Sequence, residues 1–319
     1  MELTETLRIG EAMGRAVVRA RPLAGGFSHE TSLLSLSGGG RAVARLGGAA
    51  PAVEAAVMAA GRTRVPVPEV LRVLPAVVEP DEVRAAMVLE YVPGTPLSHV
   101  LDGGGVDRRS LAALGAEVGR VVARIGTVTF DRPGFFTDAR LTVGRDEQPW
   151  SRQLPELAEA CVAAVPAERL DLATRRAWVK LCEAHAPALA AIDDQARLVH
   201  ADINPKNILV SRADDDADWR VDAVLDWEFS YSGCPYGDAA NMLRFGDTYP
   251  DGFLDGFRHG FRDRSRDGSP EVPPHEDWEY LGRVLDMFAL SDLVTRPVGH
   301  EVADAAAGVI RRWVVRPFT

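Results

Sequence analysis

Lysine is nearly missing from this 319-residue chain: it occurs only at Lys180 and Lys206, and arginine carries the remaining basic charge. Any role that a lysine fills elsewhere falls here to an arginine or to one of those two positions. The three cysteines, Cys161, Cys182 and Cys234, are too few and too scattered for a disulfide framework or a zinc site, and read as reduced thiols. No apolar run approaches the roughly 18 residues that cross a bilayer. The opening MELTETLRIGEAMG has no basic stretch followed by an apolar one, so the expectation is a cytoplasmic protein with no membrane partner. Positive charge is in deficit, with a formal net charge of −10. That argues against general nucleic-acid binding, which needs a cationic surface to displace counterions. An acidic surface suits a cationic partner, and equally serves solubility alone. Repeats of fixed period and low-complexity segments are also missing.

What is present is the composition of an ordinary globular protein, 46% hydrophobic, in a length that accommodates one large domain or two lobes. The first ninety residues read as β-rich. Strands are expected from Ala16 to Leu23, over 31–37 and over 41–47, with SGGG (37–40) turning between the last two. PAVEAAVMAAG (51–61) starts with proline, ends at glycine and reads as a helix. VPVPEVLRVLP (65–75) is held extended by its prolines, and AAMVLEYV (85–92) is a buried strand broken by PGTP (93–96). Beyond that break, 108–126 and Leu170 to Ile192 have helical spacing, and from Asp238 onward the pattern is mostly helical. Two short strands, 207–210 and 221–227, flank the acidic turn 212–218.

The chemistry concentrates in LVHADINPKNILV (198–210) and AVLDWEFS (223–230). Phosphoryl transfer from a nucleotide needs a carboxylate to orient and deprotonate an acceptor hydroxyl, and oxygen ligands to hold Mg²⁺ on the phosphates. Asp202 and Asn207 stand five residues apart just before a strand, and Asp226 follows the next one. Asp202 is the expected base, and Asn207 and Asp226 the expected metal ligands. The plain structural alternatives are a loop or capping aspartate at Asp202 and a hydrogen-bonded core histidine at His200.

The pattern H-x-D-x-x-x-x-N, then a hairpin and D-W-E, resembles the aminoglycoside phosphotransferase family, relatives of the protein kinases, which use H-R-D-x-x-x-x-N and D-F-G for the same parts. Weaker elements fall in the family's order along nearly the whole chain. PLAGGFSHETSLLSL (22–36) resembles its glycine-containing nucleotide loop, with Gly25, Gly26 and Ser28 at the phosphates. VPVPEVL (65–71) and MVLEYVPGTPL (87–97) resemble its connector and hinge, where the backbone of Glu90, Tyr91 and Val92 recognises the base. PYGDAANMLR (235–244) resembles the segment that braces the catalytic loop, which assigns Asp238 and His200 to structural support. For Asp238, an ordinary first-turn helix aspartate is a compatible reading. Three departures stand out. Arg45 occupies the place of the lysine that contacts the phosphates, with Glu54 as its implied partner; Ala201 replaces a usual glycine; Cys234 stands where an aspartate is common. Arginine can serve phosphate through paired hydrogen bonds, with altered geometry.

The resemblance implies an α+β, two-lobed protein-kinase-like fold, with a β-rich nucleotide-binding lobe over residues 1–92 and a mainly helical lobe over 93–319 carrying the catalytic loop and acceptor site. It implies an ATP- or GTP-dependent, Mg²⁺-requiring transfer to a small-molecule hydroxyl, foremost that of an aminoglycoside or other antibiotic, giving resistance. A metabolic kinase acting on a sugar, amino alcohol or fructosamine, and a nucleotide-binding pseudokinase, are the alternatives. Asp247, Asp251 and Asp255, and separately Glu276, Asp277 and Glu279, could bind amino groups of a cationic acceptor or simply form solvated helix faces.

Overall fold

The computed structural model describes residues 1–23, 30–77, 83–145, 148–214, 218–263 and 276–316. The first elements are α1 (Leu3–Met13), β1 (Val17–Pro22), β2 (Glu30–Leu36), β3 (Arg41–Leu46), α2 (Pro51–Arg62), β4 (Val70–Leu74), β5 (Ala86–Glu90), β6 (Thr95–Pro96) and α3 (Leu97–Asp102). There follow α4 (Arg108–Ile125), α5 (Trp150–Ala164), α6 (Leu172–His185), β7 (Arg197–Val199), β8 (Ile208–Ser211), β9 (Arg220–Val224) and β10 (Tyr231–Gly233). The chain ends with α7 (Tyr236–Leu243), α8 (Phe253–Arg262), α9 (Trp278–Leu293) and α10 (Glu301–Val315). Two compact units result: Met1–Gly104 with Phe136–Thr142 and Pro205–Ser230, and Gly105–Phe135 with Val143–Asn204 and Tyr231–Thr319. The first is called the sheet unit below and the second the helical unit.

In the sheet unit an antiparallel sheet of order β1-β2-β3-β5-β4 turns one face inward. Alternation along β2 and β3 puts Leu34, Leu36, Ala42, Ala44 and Leu46 into a core with Ala86, Val88 and Ile9. Ile9 comes from α1, a helix absent from the sequence expectation. Its start is fixed by the Glu5 carboxylate, which accepts the Glu2 backbone N–H at 2.8 Å in a capping box. Pro51 opens α2, where a missing N–H costs nothing. A second sheet, of order β6-β8-β9, contains the hairpin expected around 212–218.

The helical unit is organised by α4 and α8. Asp107 caps α4, accepting the backbone N–H groups of Arg109 at 2.9 Å and Ser110 at 3.1 Å. Gly115 and Gly119 on α4 face Gly256 and Gly260 on α8 so closely that a methyl on Gly115 would stand 2.0 Å from the Phe253 carbonyl oxygen. One on Gly256 would stand 2.0 Å from the Ala112 carbonyl oxygen. The backbones therefore touch, at a helix separation that larger side chains prevent. Phe253, Phe257 and Phe261 are fully buried beside this seam.

Two further elements differ from expectation. The helix anticipated from Leu170 to Ile192 ends as an α-helix at His185 and continues as a 3-10 turn over Ala186–Ala191, because Pro187 has no N–H to donate. Over 148–169, where the sequence pattern assigns no element, α5 forms and accommodates Pro155. Among the described residues no helix is long and apolar enough to cross a membrane.

Gly256→Ala should destabilise the protein by about 3 kcal/mol or more, since the added methyl meets backbone rather than a movable side chain. Gly308→Ala in α10, where the nearest atom is a flexible arginine nitrogen at 3.7 Å, should be neutral or stabilising by about 0.5–1 kcal/mol. Thermal melts of the two variants check the contrast.

Candidate active site

The run from Leu198 to Val210 begins in the helical unit and passes into the sheet unit between Asn204 and Pro205. On the helical side, β7 pairs antiparallel with β10 and delivers His200, which is completely buried. Asp238, also completely buried, sits in the first turn of α7 and accepts two backbone N–H groups, from His200 at 2.9 Å and Ala201 at 2.8 Å. His200 Nδ1 accepts the Asp202 N–H at 3.2 Å. Asp202 is only half-buried, and its side chain accepts from the Asn204 amide at 3.1 Å. The same amide reaches the Asp202 carbonyl at 3.1 Å, closing the loop on itself.

Ala201 has φ +69°, in the left-handed region that costs a side-chain-bearing residue about 1 kcal/mol or more, which suits the glycine that the family resemblance implies there. Burial pushes the Asp238 carboxyl up to about 7, against its two backbone hydrogen bonds, which favour the ionised form, and with a smaller upward push from Asp202.

In the sheet unit, Arg45 on β3 faces Glu54 on α2, and the two form an ion pair with both side chains nearly buried. The second guanidinium nitrogen donates to Asp226 Oδ1 at 2.8 Å. Asp226 lies just past β9 with φ +67°, and its side chain is about a third exposed. Asn207 closes the 3-10 turn Pro205–Asn207, and its carbonyl accepts the Leu225 N–H at 2.8 Å, so it adjoins Asp226 through the backbone. Trp227 is buried beside Asp226 and donates its indole N–H to the Val224 carbonyl at 2.9 Å. Its ring fills the space over Gly61, where a methyl would stand 2.8 Å from Cη2. Helix α2 thus supports Asp226 twice, through Glu54 with Arg45 and through Gly61 with Trp227.

The remaining candidates are more dispersed. Gly25, Gly26 and Ser28 lie outside the described residues. The Glu90 backbone N–H donates to the Glu69 carbonyl at 2.8 Å, and its exposed carboxylate accepts the Glu69 N–H at 3.1 Å. Tyr91 is covered by the Arg41 guanidinium, 3.9 Å from the ring centroid, and Val92 is half-buried. Of the acidic groups, Asp247 lies 3.5 Å from Arg312, and Asp255 and Glu279 both approach Arg258. Asp251, Glu276 and Asp277 are exposed. Asn204 stands within 198–210, but the pattern H-x-D-x-x-x-x-N leaves it unmarked. The buried Asp286 receives both Asn241 and Arg244, and no local pattern marks it in α9.

These units carry the kinase-like fold, a β-rich lobe and a mainly helical one. The sequence profile of the phosphotransferase enzyme family matches residues 19–273, and the chain belongs to that family as a small-molecule kinase. No curated protein matches the sequence. Solved structures share the fold at low identity. The GDP and kanamycin complex of APH(2")-IIIa superposes with a TM-score of 0.66 at 14% identity, covering 99% of this chain and 100% of the other. Amicoumacin kinase hAmiN, in complex with AMP-PNP, Ca²⁺ and Ami, gives 0.63 at 14% identity, with 99% and 96% covered. Macrolide 2'-phosphotransferase MphH from Brachybacterium faecium gives 0.56 at 21% identity, with 99% and 98% covered.

Replacing Ala201 with glycine should raise stability by about 0.5–1 kcal/mol by relieving the left-handed backbone, which denaturant melts would register. Asp238 binds its proton more tightly in the folded than in the unfolded chain. Its contribution to stability is therefore fully present below the ordinary aspartate range and is lost as pH rises through about 7. The difference in melting temperature between wild type and Asp238→Asn should shrink or reverse between pH 4 and pH 8; a flat difference contradicts the assignment.

Proposed function

We propose that the protein transfers the γ-phosphoryl group of ATP or GTP to a hydroxyl of a small molecule, with an aminoglycoside or other antibiotic as the foremost acceptor class. The observation that carries this reading is the half-exposed Asp202 carboxylate on a loop whose backbone a buried aspartate pins from behind. That arrangement fixes a base in place while leaving it open to an acceptor, as positioning-dominated transfer requires.

Asp202 accepts the acceptor's hydroxyl proton as the new O–P bond forms and the γ-phosphorus parts from its bridging oxygen, releasing the nucleoside diphosphate. Asn207 and Asp226 are the residues that would hold a divalent cation. Their oxygen donors, a carboxylate and an amide on adjoining backbone, fit a hard ion such as Mg²⁺. Bound there, such an ion would neutralise charge developing on the phosphates. Gly25, Gly26, Ser28 and Arg45 serve the phosphates, Glu54 orients Arg45, and the backbone of Glu90, Tyr91 and Val92 serves the base. Residues 1–92 make up most of the nucleotide-binding lobe in this reading. The exposed carboxylates of Asp247, Asp251, Asp255, Glu276 and Asp277, with the half-buried one of Glu279, favour a cationic acceptor. Antibiotics in the APH(2")-IIIa and hAmiN complexes support that choice by analogy.

Asp202→Ala should lose roughly a hundred- to ten-thousand-fold in transfer while keeping its nucleotide affinity. Asp226→Ala should instead weaken binding of the metal–nucleotide pair. Product mass spectrometry across an antibiotic and metabolite panel, with calorimetry for the nucleotide, separates the two. Near-normal turnover in Asp202→Ala would falsify its role as base.

A further inference from the structure

The Arg45 guanidinium ends on two carboxylates. One nitrogen serves Glu54 and the other serves Asp226 Oδ1 at 2.8 Å. A lysine offers a single compact ammonium on an unforked stem, whereas the planar guanidinium spans two acceptors at once. The two carboxylates differ in what they need. The Glu54 side chain is 7% exposed and depends on a partner for its charge, while that of Asp226 is 32% exposed and water can solvate it.

Resting on the proposed role of Asp226 as a metal ligand, we infer that Arg45 masks Asp226 in the nucleotide-free protein. Its guanidinium competes with a divalent cation for the Asp226 carboxylate, and Glu54 limits that competition by holding the same guanidinium back. Both competitors are cations, and the Arg45 side chain is 9% exposed, so solvent screens its charge little. Phosphates approaching Arg45 would draw its second nitrogen off Asp226 and free the carboxylate for metal. The arginine that departs from the family's lysine thereby becomes a positioning residue that makes the metal site depend on the nucleotide.

The competition predicts changes of opposite sign from two substitutions. In Arg45→Lys the ammonium stays with the more buried Glu54 and releases Asp226, so metal binds more tightly. In Glu54→Gln the guanidinium loses its competing anion and settles on Asp226, so metal binds more weakly. A purely structural role for the pair would weaken metal binding in both.

The test is titration of nucleotide-free protein with Mn²⁺ alone, read from the electron paramagnetic resonance signal of the free ion, with thermal melts confirming that each variant is folded. Arg45→Lys should tighten Mn²⁺ binding on the order of tenfold and Glu54→Gln should weaken it on the same scale. Asp226→Asn separates the ligand role of Asp226 from its masking by Arg45. If it binds Mn²⁺ as wild type does, the ligand assignment itself falls, and the masking with it. If it loses binding while Arg45→Lys is unchanged or weaker, masking alone is overturned. Should Arg45→Lys fail to fold, Arg45→Gln takes its place, since it also frees Asp226 of the guanidinium: unchanged or weaker Mn²⁺ binding there rejects the inference.

Discussion

The two hydrogen bonds from His200 and Ala201 to the Asp238 carboxylate are what the position of Asp202 in the helical unit depends on. Removing a carboxylate from water is costly, and backbone N–H groups can offset that cost only if they stay where they are. The loop is therefore fixed to α7, and α7 is fixed to α9. Gly282 of α9 lies so near α7 that a methyl there would stand 2.8 Å from the Tyr236 carbonyl oxygen. Asp202 inherits its position from this stack, one residue beyond the pinned backbone. The left-handed Ala201 is the local cost of turning the chain between the pinned residues and the half-exposed one.

The candidate residues of the sheet unit are held by charge rather than by backbone anchoring. Arg45, Glu54 and Asp226 come from β3, α2 and the end of β9, and a single guanidinium joins the two carboxylates. The register of the sheet sets Arg45 opposite Thr31 on one side and Met87 on the other, on the face away from Ala42, Ala44 and Leu46. With lysine nearly absent from the chain, the cation here is one that carries donors for two partners.

The β-rich start followed by helices was legible because alternation and helical spacing are local signals, as in β2, β3 and α4. Helix α1 was not, because its N-cap is a glutamate rather than the usual serine, threonine, asparagine or aspartate. The 3-10 end of α6 follows from Pro187, a signal present but outweighed by the apolar periodicity around it. For the candidate site, residue types and spacing in 198–210 pointed to a chemistry, and Arg45 was conspicuous as a substitution. Its reach to Asp226 was not legible, since strand order says nothing of where a long side chain ends. The glycines of α4 and α8 carried no meaning in isolation; each pair acquires one only against the other helix.

The close α4–α8 seam also dictates an order of assembly. Helix α4 is complete at Ile125, but the surface it packs against does not exist until synthesis has passed Arg262. The sheet unit is interrupted in the same way, since Pro205–Ser230 belongs to it and is made after most of the helical unit's first half. Neither unit can close while its own early segments leave the ribosome. A growing chain carries the bare glycine face of α4 from Ile125 until Arg262 has been made, and the cost of closing that long loop is offset only when the far helix arrives. The emerging protein is thus in greatest need of chaperoning before α8 appears, and truncations ahead of Phe253 leave that face permanently open.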